Sequence, residues 1–147
     1  MRLSSMADYA VVIMAAASRH CGCAIRESGE LGLRVRLSAG QLAEETGLPA
    51  PTVQKLVSRL VAAGLLHSTR GMGGGIRLAR PAAAITLADI VEAVEGPIAM
   101  TACLEEGRHE CTLEEACSVR GHWPIVNEVL RDALAGVPLT RLAEAGQ

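Results

Sequence analysis

The stretch that decides the fold is residues 38–80, SAGQLAEETGLPAPTVQKLVSRLVAAGLLHSTRGMGGGIRLAR. Ser38 and Gln41 form an S-x-x-Q capping box, the pattern with which many helices begin. Together with the downstream Gly47, a residue suited to a helix C-terminus, this box predicts a short helix over Gln41–Thr46. The stretch therefore opens with one small helix that ends in a tight turn.

A second helix follows from about Ala50 to Ala63, with Pro51 in its first turn, where a missing N–H costs little. Its buried face is predicted by apolar residues at helical spacing: Val53, Leu56, Val57, Leu60 and Val61. Two short apolar runs, 65–69 and 76–79, then flank the glycine-rich turn 70–75 and predict a β-hairpin. Helix, turn, helix and hairpin, in this order, are typical of a winged helix-turn-helix that binds DNA.

The charge distribution supports DNA as the partner although the net charge is −2. Residues 49–80 contain basic residues and no Asp or Glu, whereas residues 81–117 are strongly acidic. A local basic face suits a phosphate footprint. The predicted DNA contacts are Ser38, Thr52, Gln54, Lys55, Ser58, Arg59, Arg70 and Arg77, of which Lys55 and the arginines would bind phosphates. The alternatives are a polar face that is merely solvated and a hairpin that contacts protein.

Three further helices are predicted outside this stretch: one capped by Ser4 or Ser5 and ending near Arg19–His20, one capped by Thr86 with Asp89 and running to Glu95, and one from Pro124 to Ala135. A loop spans 21–36, with a strand at Leu33–Arg36, and a short tail helix follows Val137–Pro138. The apolar stripe on the 124–135 helix is broad, so this helix either packs on its own domain or forms a homodimer. We favour the homodimer.

The predicted fold is mainly α with a small β-hairpin. It divides into a winged helix-turn-helix DNA-binding domain, 1–81, and a segment with a cysteine loop and a long C-terminal dimerisation helix, 82–147. The chain has no Phe, one Trp and one Tyr, so its core should be aliphatic. It shows no apolar run that could span a membrane and no signal peptide, so we expect no membrane partner and a cytoplasmic location.

Five cysteines, in a chain without signs of export, favour reduced thiols over structural disulfides. Cys103, Cys111 and Cys117 lie in one acidic loop with C-x7-C-x5-C spacing. Four interpretations are open: core packing, structural zinc, a redox disulfide switch, and an iron–sulfur cluster. The polar loop disfavours core packing, and the wide gaps disfavour zinc, which prefers a C-x(2–4)-C pair. Soft thiolates on one loop favour a cluster, with a fourth ligand that is not cysteine.

Several segments together resemble one family of bacterial regulators. They are MRLSSMADYA at the start, LAEETGLPAPTVQKLVSRLVAAGLL, RGMGGGIRLARP, ITLADIVEAVEG and the three-cysteine loop. The family is that of the dimeric winged-helix regulators that sense iron–sulfur clusters, which includes the regulators of the Isc and Suf assembly operons and the nitric-oxide-sensing repressors. EGPIAMTAC and the residues from Cys117 to Trp123 look most similar to the Suf-type regulators.

The resemblance implies that Cys103, Cys111 and Cys117 hold a [2Fe-2S] or [4Fe-4S] cluster. Asp8 matches the position from which nitric-oxide sensors supply the fourth ligand across the dimer, although a helix dipole also favours Asp there. The Isc-type regulators use a His three residues after the last cysteine, where this chain has Arg120. His122 and His109 are substitutes on chemistry alone. Cys21 and Cys23 depart from the family pattern and are interpreted as surface thiols rather than ligands.

The sequence thus predicts a DNA-binding transcriptional regulator whose operator binding depends on an iron–sulfur cluster and whose targets are genes for cluster assembly or iron homeostasis. A regulator that senses thiol redox or another metal is the first alternative. A cluster scaffold that does not bind DNA is the second, and the basic helix and hairpin disfavour it. An enzyme is not expected, because the four histidines form no acid–base constellation.

Overall fold

The computed structural model describes residues 3–21, 37–104, 111–113 and 115–144. This part of the chain forms six α-helices and one antiparallel hairpin, with short 3-10 turns at Ala82–Ala84, Ala102–Leu104 and Arg120–His122. In chain order the elements are α1 (Ser5–Cys21), α2 (Ala39–Thr46), α3 (Ala50–Ala62), β1 (Leu66–Thr69), β2 (Gly75–Leu78), α4 (Leu87–Glu95), α5 (Trp123–Ala135) and α6 (Leu139–Glu144). The predicted fold class, mainly α with a small hairpin, is confirmed.

Capping boxes fix the first residues of two of these helices, α2 and α4. The amide N of Gln41 donates to Ser38 Oγ at 3.1 Å, and the amide N of Ser38 donates to Gln41 Oε1 at 2.8 Å, which completes the capping box of α2. Thr86 and Asp89 form the same arrangement at the start of α4. Because the box residue is the third residue of the helix, α2 begins at Ala39, two residues before the predicted start. Gly47 ends α2 with a φ of 69°, as predicted.

Two other predicted boundaries shift. The first helix continues to Cys21, beyond the predicted end near Arg19–His20, and the last long helix begins at Trp123 rather than Pro124. The predicted strand at Leu33–Arg36 lies outside the described residues. The next residue, Leu37, forms an isolated antiparallel bridge with Ile76 of β2.

The core is aliphatic, as the composition predicts. α1 runs through it with Ile13 and Met14 fully buried. The remaining fully buried large side chains come from almost every other element: Leu42, Leu56, Leu60, Leu66, Ile90 and Leu139, among others. Leu139 belongs to the tail helix α6, so residues on both sides of the predicted division at 81 share one core. The division into 1–81 and 82–147 stays a prediction about roles.

The hairpin pairs Ser68 with Ile76 and His67 with Arg77. Ile76 is buried, and because side chains alternate across a strand, Arg77 lies on the outer face of the hairpin beside His67. Among the described residues, no helix is both long and apolar enough to cross a lipid bilayer.

Candidate nucleic-acid interface and cysteine segment

A polar groove opens between the N-terminus of α2, the exposed face of α3 and the hairpin. Its polar lining comes from Ser38, Gln54, Ser58, Ser68, Thr69 and Arg70, and the described residues that line it include no carboxylate. Four predicted DNA contacts, Ser38, Gln54, Ser58 and Arg70, therefore lie together on one surface. The sequence did not single out Ser68 and Thr69, whose position depends on the strand register.

The hydroxyl groups in this groove have defined hydrogen-bonding capacity. Ser58 Oγ donates to the Gln54 carbonyl oxygen at 3.0 Å, so its lone pairs remain for an incoming donor such as a base amino group. Ser38 Oγ accepts the cap hydrogen bond from Gln41, which leaves its O–H able to donate to a phosphate oxygen. The two serines thus offer complementary chemistry to DNA.

The other predicted contacts do not line the groove. Lys55 is exposed on α3, and Thr52 is half-buried at its first turn. Arg77 is exposed on the outer face of the hairpin. Arg59 is exposed as well, and its Nη1 donates to the carbonyl oxygen of Val94 in α4 at 2.9 Å, so its contact with a phosphate stays a prediction.

Glycines in the hairpin tip are required by the turn itself. Gly71 and Gly73 have φ values of 92° and 101°, which side chains with a Cβ rarely adopt. Gly74 has no room for a side chain, since a Cβ there would lie 2.2 Å from the Thr69 carbonyl oxygen. The geometry of the turn therefore requires these glycines whether or not DNA is bound. Between them, the side chain of Met72 is fully exposed.

The three cysteines of the loop are free thiols, and each is half-buried. Cys103 lies in the turn Ala102–Leu104, where its Sγ and Thr101 Oγ1 are 3.1 Å apart. As a donor set, three free thiols fit a thiophilic iron site. Their placement in the single chain does not assemble one, because within 3–21, 37–104, 111–113 and 115–144 no three His, Cys, Asp or Glu side chains stand close enough to hold a metal ion.

Within the described residues, the candidate fourth ligands also form no metal-holding group of three with the cysteines. Asp8 is exposed in the first turns of α1, and His122 is exposed in the turn Arg120–His122 that precedes α5. That turn is joined to the last cysteine by the Arg120 amide, which donates to the Cys117 carbonyl oxygen at 3.3 Å. His109 and Cys23 lie outside the described residues, and of Cys21 only its place at the end of α1 is described.

The stretch from Ile98 to Cys117, called here the cysteine segment, is hydrogen-bonded to α5 near its start by one side chain. Asn127 Nδ2 donates to the Ile98 carbonyl oxygen at 2.8 Å, and Asn127 Oδ1 accepts from the Met100 amide at 3.0 Å. Sequence reasoning missed Asn127, whose only signal is that it interrupts the apolar stripe of the last helix.

α5 is also tied to α4. Arg131 binds Glu92 through two hydrogen bonds, Nε to Oε1 at 2.9 Å and Nη2 to Oε2 at 3.1 Å. This fork raises the pKa of Arg131, so its positive charge is kept. Contacts therefore connect four parts of the fold in turn. Asn127 joins the stretch before Cys103 to α5, Arg131 joins α5 to α4, and Arg59 joins α4 to α3.

The family profile of Rrf2, described as an iron-dependent transcriptional regulator, matches residues 3–145. The chain belongs to the Rrf2 family. Rrf2 proteins are DNA-binding regulators of transcription, and this Rrf2 chain is therefore a regulator and not an enzyme. In this setting α3 is the recognition helix and the hairpin is the wing.

Named relatives agree with the Rrf2 assignment. The chain is 34% identical to protein aau3 of Rhizobium meliloti (strain 1021), over 91% of this chain and 75% of that protein. It is 29% identical to the HTH-type transcriptional regulator IscR of Xenorhabdus nematophila, over 98% of this chain and 80% of that protein. The predicted family is confirmed, while the finer resemblance to Suf-type regulators stays a prediction.

Solved Rrf2-like structures confirm the fold. The structure of CymR (YrzC), described as the global cysteine regulator of B. subtilis, superposes with a TM-score of 0.69 at 26% identity. The match covers 99% of this chain and 98% of that one. The similarity therefore extends from α1 through the tail helix.

Proposed function

We propose that the protein is a homodimeric transcriptional regulator whose operator affinity is set by an iron–sulfur cluster held by Cys103, Cys111 and Cys117. The observation that carries the proposal is that all three cysteines are free thiols in one segment, which is bonded to α5 through Asn127. The description of the Rrf2 profile as iron-dependent and the IscR-named relatives support it. The targets proposed are genes for cluster assembly or iron homeostasis, and the place of action is the cytoplasm.

The exposed apolar face of α5 supports the homodimer. None of the helix's 13 residues is buried in the single chain. Ile125, Val126 and Val129 are 63%, 45% and 65% exposed and fall on one side of the helix. A surface of this kind favours burial against a second copy, since two-fold symmetric operators are bound by two-fold symmetric proteins.

We propose Asp8 of the second subunit as the fourth ligand, with His122 as its competitor. Asp8 is exposed on α1, so its carboxylate is available to a neighbouring chain. A carboxylate in place of a fourth thiolate would make the bound group more labile, which suits a sensor. The cluster, when bound, supplies sensitivity to iron supply, oxidation or nitric oxide.

Control of DNA binding would act through this chain's own contacts. Drawing Cys103, Cys111 and Cys117 together moves the segment that begins at Ile98, and Asn127 transfers that displacement to α5. Because α5 forms the dimer contact, its movement changes the spacing of the two recognition helices and thereby the fit to two half-sites. On the DNA, we propose phosphate contacts by Ser38, Lys55, Arg70 and Arg77 and base contacts by Thr52, Gln54 and Ser58.

A regulator that senses thiols directly is the second candidate. It is favoured by the free state of the three cysteines and by the similarity to CymR, which is described as a global cysteine regulator. Three thiols on one segment can also pair as a disulfide without any metal.

The deciding experiment is anaerobic purification followed by absorption spectroscopy and counting of iron and sulfide. We expect a brown protein whose colour is lost in Cys103→Ser, Cys111→Ser and Cys117→Ser and kept in the control variants Cys21→Ser and Cys23→Ser. Colourless protein that carries zinc would refute the cluster. Colourless protein that forms a disulfide on oxidation and changes its DNA affinity would establish the second candidate. A brown protein that binds no duplex selected from a random pool would instead be a cluster scaffold.

A further inference from the structure

The position of Arg59 on the recognition helix separates it from Gln54 and Ser58, two of the predicted base contacts. α3 buries Val53, Leu56, Val57 and Leu60. Gln54 and Ser58 line the groove on the side away from this core. At about 100° per residue, Arg59 lies about 100° round the helix from Ser58, on the flank that faces α4. Its guanidinium reaches the Val94 carbonyl oxygen there, at 2.9 Å.

The C-terminal end of α4 is a favourable place for a guanidinium. The last carbonyl groups of a helix lack intrahelical donors and carry partial negative charge, so a cation that bonds one of them is stabilised. Gly96, with a φ of 89°, turns the chain out of the helix immediately after this point. Arg59 thus caps α4 from outside, through a contact between residues 35 positions apart.

The same end of α4 is a poor place for DNA. Glu92 and Glu95 lie in the last turn of the helix, and a phosphate brought there would meet two carboxylates. Both carboxylates also accept hydrogen bonds from this chain, Glu92 from Arg131 and Glu95 from the hydroxyl of Ser4. Arg59 remains exposed, but its guanidinium is bonded to the end of α4, where the acidic residues disfavour a phosphate.

We propose that Arg59 is a positioning residue that fixes the recognition helix to the C-terminal end of α4 and so sets the orientation of Gln54 and Ser58 on DNA. The contact joins α3 to the element that leads, through Gly96, into the cysteine segment. The inference rests on DNA binding, which family membership shows, and is independent of whether the cysteines hold a cluster.

The test compares Arg59→Met with Lys55→Met, two variants that each remove one positive charge from α3. The probes are a duplex that the protein selects from a random pool and a scrambled duplex of the same composition. Affinity is measured across a range of salt, at a temperature at which circular dichroism shows each variant fully folded. A lost phosphate contact makes the slope of log K against log salt shallower by about 0.9 and weakens both duplexes alike.

We expect Lys55→Met to behave in this way. Arg59→Met should keep the full salt slope and the scrambled-duplex affinity while losing about tenfold on the selected duplex, the size of one lost base contact. A slope reduced by about one, or an equal loss on both duplexes, would overturn the proposal. If Arg59→Met does not fold, side-chain ¹⁵N NMR of the wild-type protein decides: guanidinium signals of Arg59 that stay in place on adding the selected duplex support the anchor, and signals that shift refute it.

Discussion

Asn127 of α5 donates from Nδ2 to the carbonyl oxygen of Ile98 at 2.8 Å and so holds the segment that leads to the first cysteine. The same side chain accepts from the Met100 amide, so one residue satisfies both a donor and an acceptor of the segment. A rearrangement around Cys103 that shifts the backbone at Ile98 or Met100 must either move α5 or break these two hydrogen bonds. Asn127 is therefore a direct contact between α5 and the backbone that leads to Cys103.

Asn127→Ala should lower the free energy of unfolding by about 1–2 kcal/mol, because the half-buried Ile98 carbonyl loses its partner. It should also raise the alkylation rate of Cys103, since the segment is no longer held. Urea unfolding and timed alkylation with mass spectrometry measure the two effects.

The controls for Asn127 are Asn127→Asp and Glu128→Ala. The aspartate keeps an acceptor for Met100 but sets a charged oxygen against the Ile98 carbonyl oxygen, so at neutral pH it should lower the stability at least as much as Asn127→Ala. Glu128 is exposed one residue later, and its replacement should change neither quantity. An Asn127→Ala protein with wild-type stability and wild-type Cys103 reactivity would show that the connection has no mechanical role.

Gly74→Ala should distort the wing and leave the rest of the fold intact. The new Cβ would lie 2.2 Å from the Thr69 carbonyl oxygen, so the hairpin tip must open. We expect operator affinity to fall by about tenfold, which corresponds to about 1.4 kcal/mol of lost wing contacts. Gel-shift titration with the selected duplex measures this loss.

Gly121→Ala is the matched control for Gly74→Ala, because a Cβ there meets nothing within 4 Å. It lies in the turn before α5, away from the wing. If the two alanine variants bind DNA equally well, the arrangement of the wing tip is not needed for recognition.

The features that the sequence predicted correctly are local ones. The capping boxes Ser38–Gln41 and Thr86–Asp89 join residues three apart, so their chemistry is visible in the sequence. The contacts from Arg59 to Val94 and from Asn127 to Ile98 join residues 35 and 29 apart. The local pattern reveals neither partner, although Asn127 interrupts an apolar stripe, and only the packing of α3, α4 and α5 brings the partners together.

The arrangement of the cysteine segment is likewise only partly predictable from the sequence. Spacing and residue type identify three thiol donors, but whether donors converge depends on the conformation of the loop, which spacing does not encode. The tail helix is a second case. Leu139 is fully buried in the core, although its short helix lacks the periodicity that would have indicated this.

Glu45 of α2 forms ion pairs with Arg19 and His20 of α1, and these pairs predict that the free energy of unfolding falls in acid. His20 and Arg19 both bond Glu45, at 2.6 Å and 2.9 Å, and lower its pKa from the ordinary value of 4.5. Because the folded chain favours the ionised carboxylate, the two contacts stabilise the fold at pH values above the ordinary pKa of Glu45. This stabilisation is lost as the pH falls through the lowered pKa. We expect Glu45→Gln to cost about 0.5 kcal/mol at neutral pH, as exposed ion pairs do, and nothing once the carboxylate is protonated.

Urea unfolding of the wild-type and Glu45→Gln proteins as a function of pH measures this difference. Glu44→Gln is the control, since Glu44 is exposed on the same helix one residue earlier. Identical pH profiles for the two variants would mean that the contacts with His20 and Arg19 add no stability.

Val129→Asp should convert the dimer to a monomer without unfolding it. Val129 is 65% exposed in the single chain, so the monomer tolerates a charge there. In a dimer formed by the apolar face of α5, the same carboxylate would be buried without a partner. We expect the dissociation constant to rise at least a hundredfold, about 3 kcal/mol, with an unchanged circular dichroism spectrum. Sedimentation equilibrium measures the constant.

Glu128→Gln provides the matched control, because this exposed neighbour lies about 100° round the helix from Val129 and outside the apolar face. It should leave the dimer intact. Since each subunit contributes one recognition helix to one half-site, Val129→Asp should also weaken binding to the full operator much more than binding to a single half-site. A Val129→Asp protein that sediments as a dimer would place the subunit contact on another surface, and α5 would then need a different partner for Ile125, Val126 and Val129.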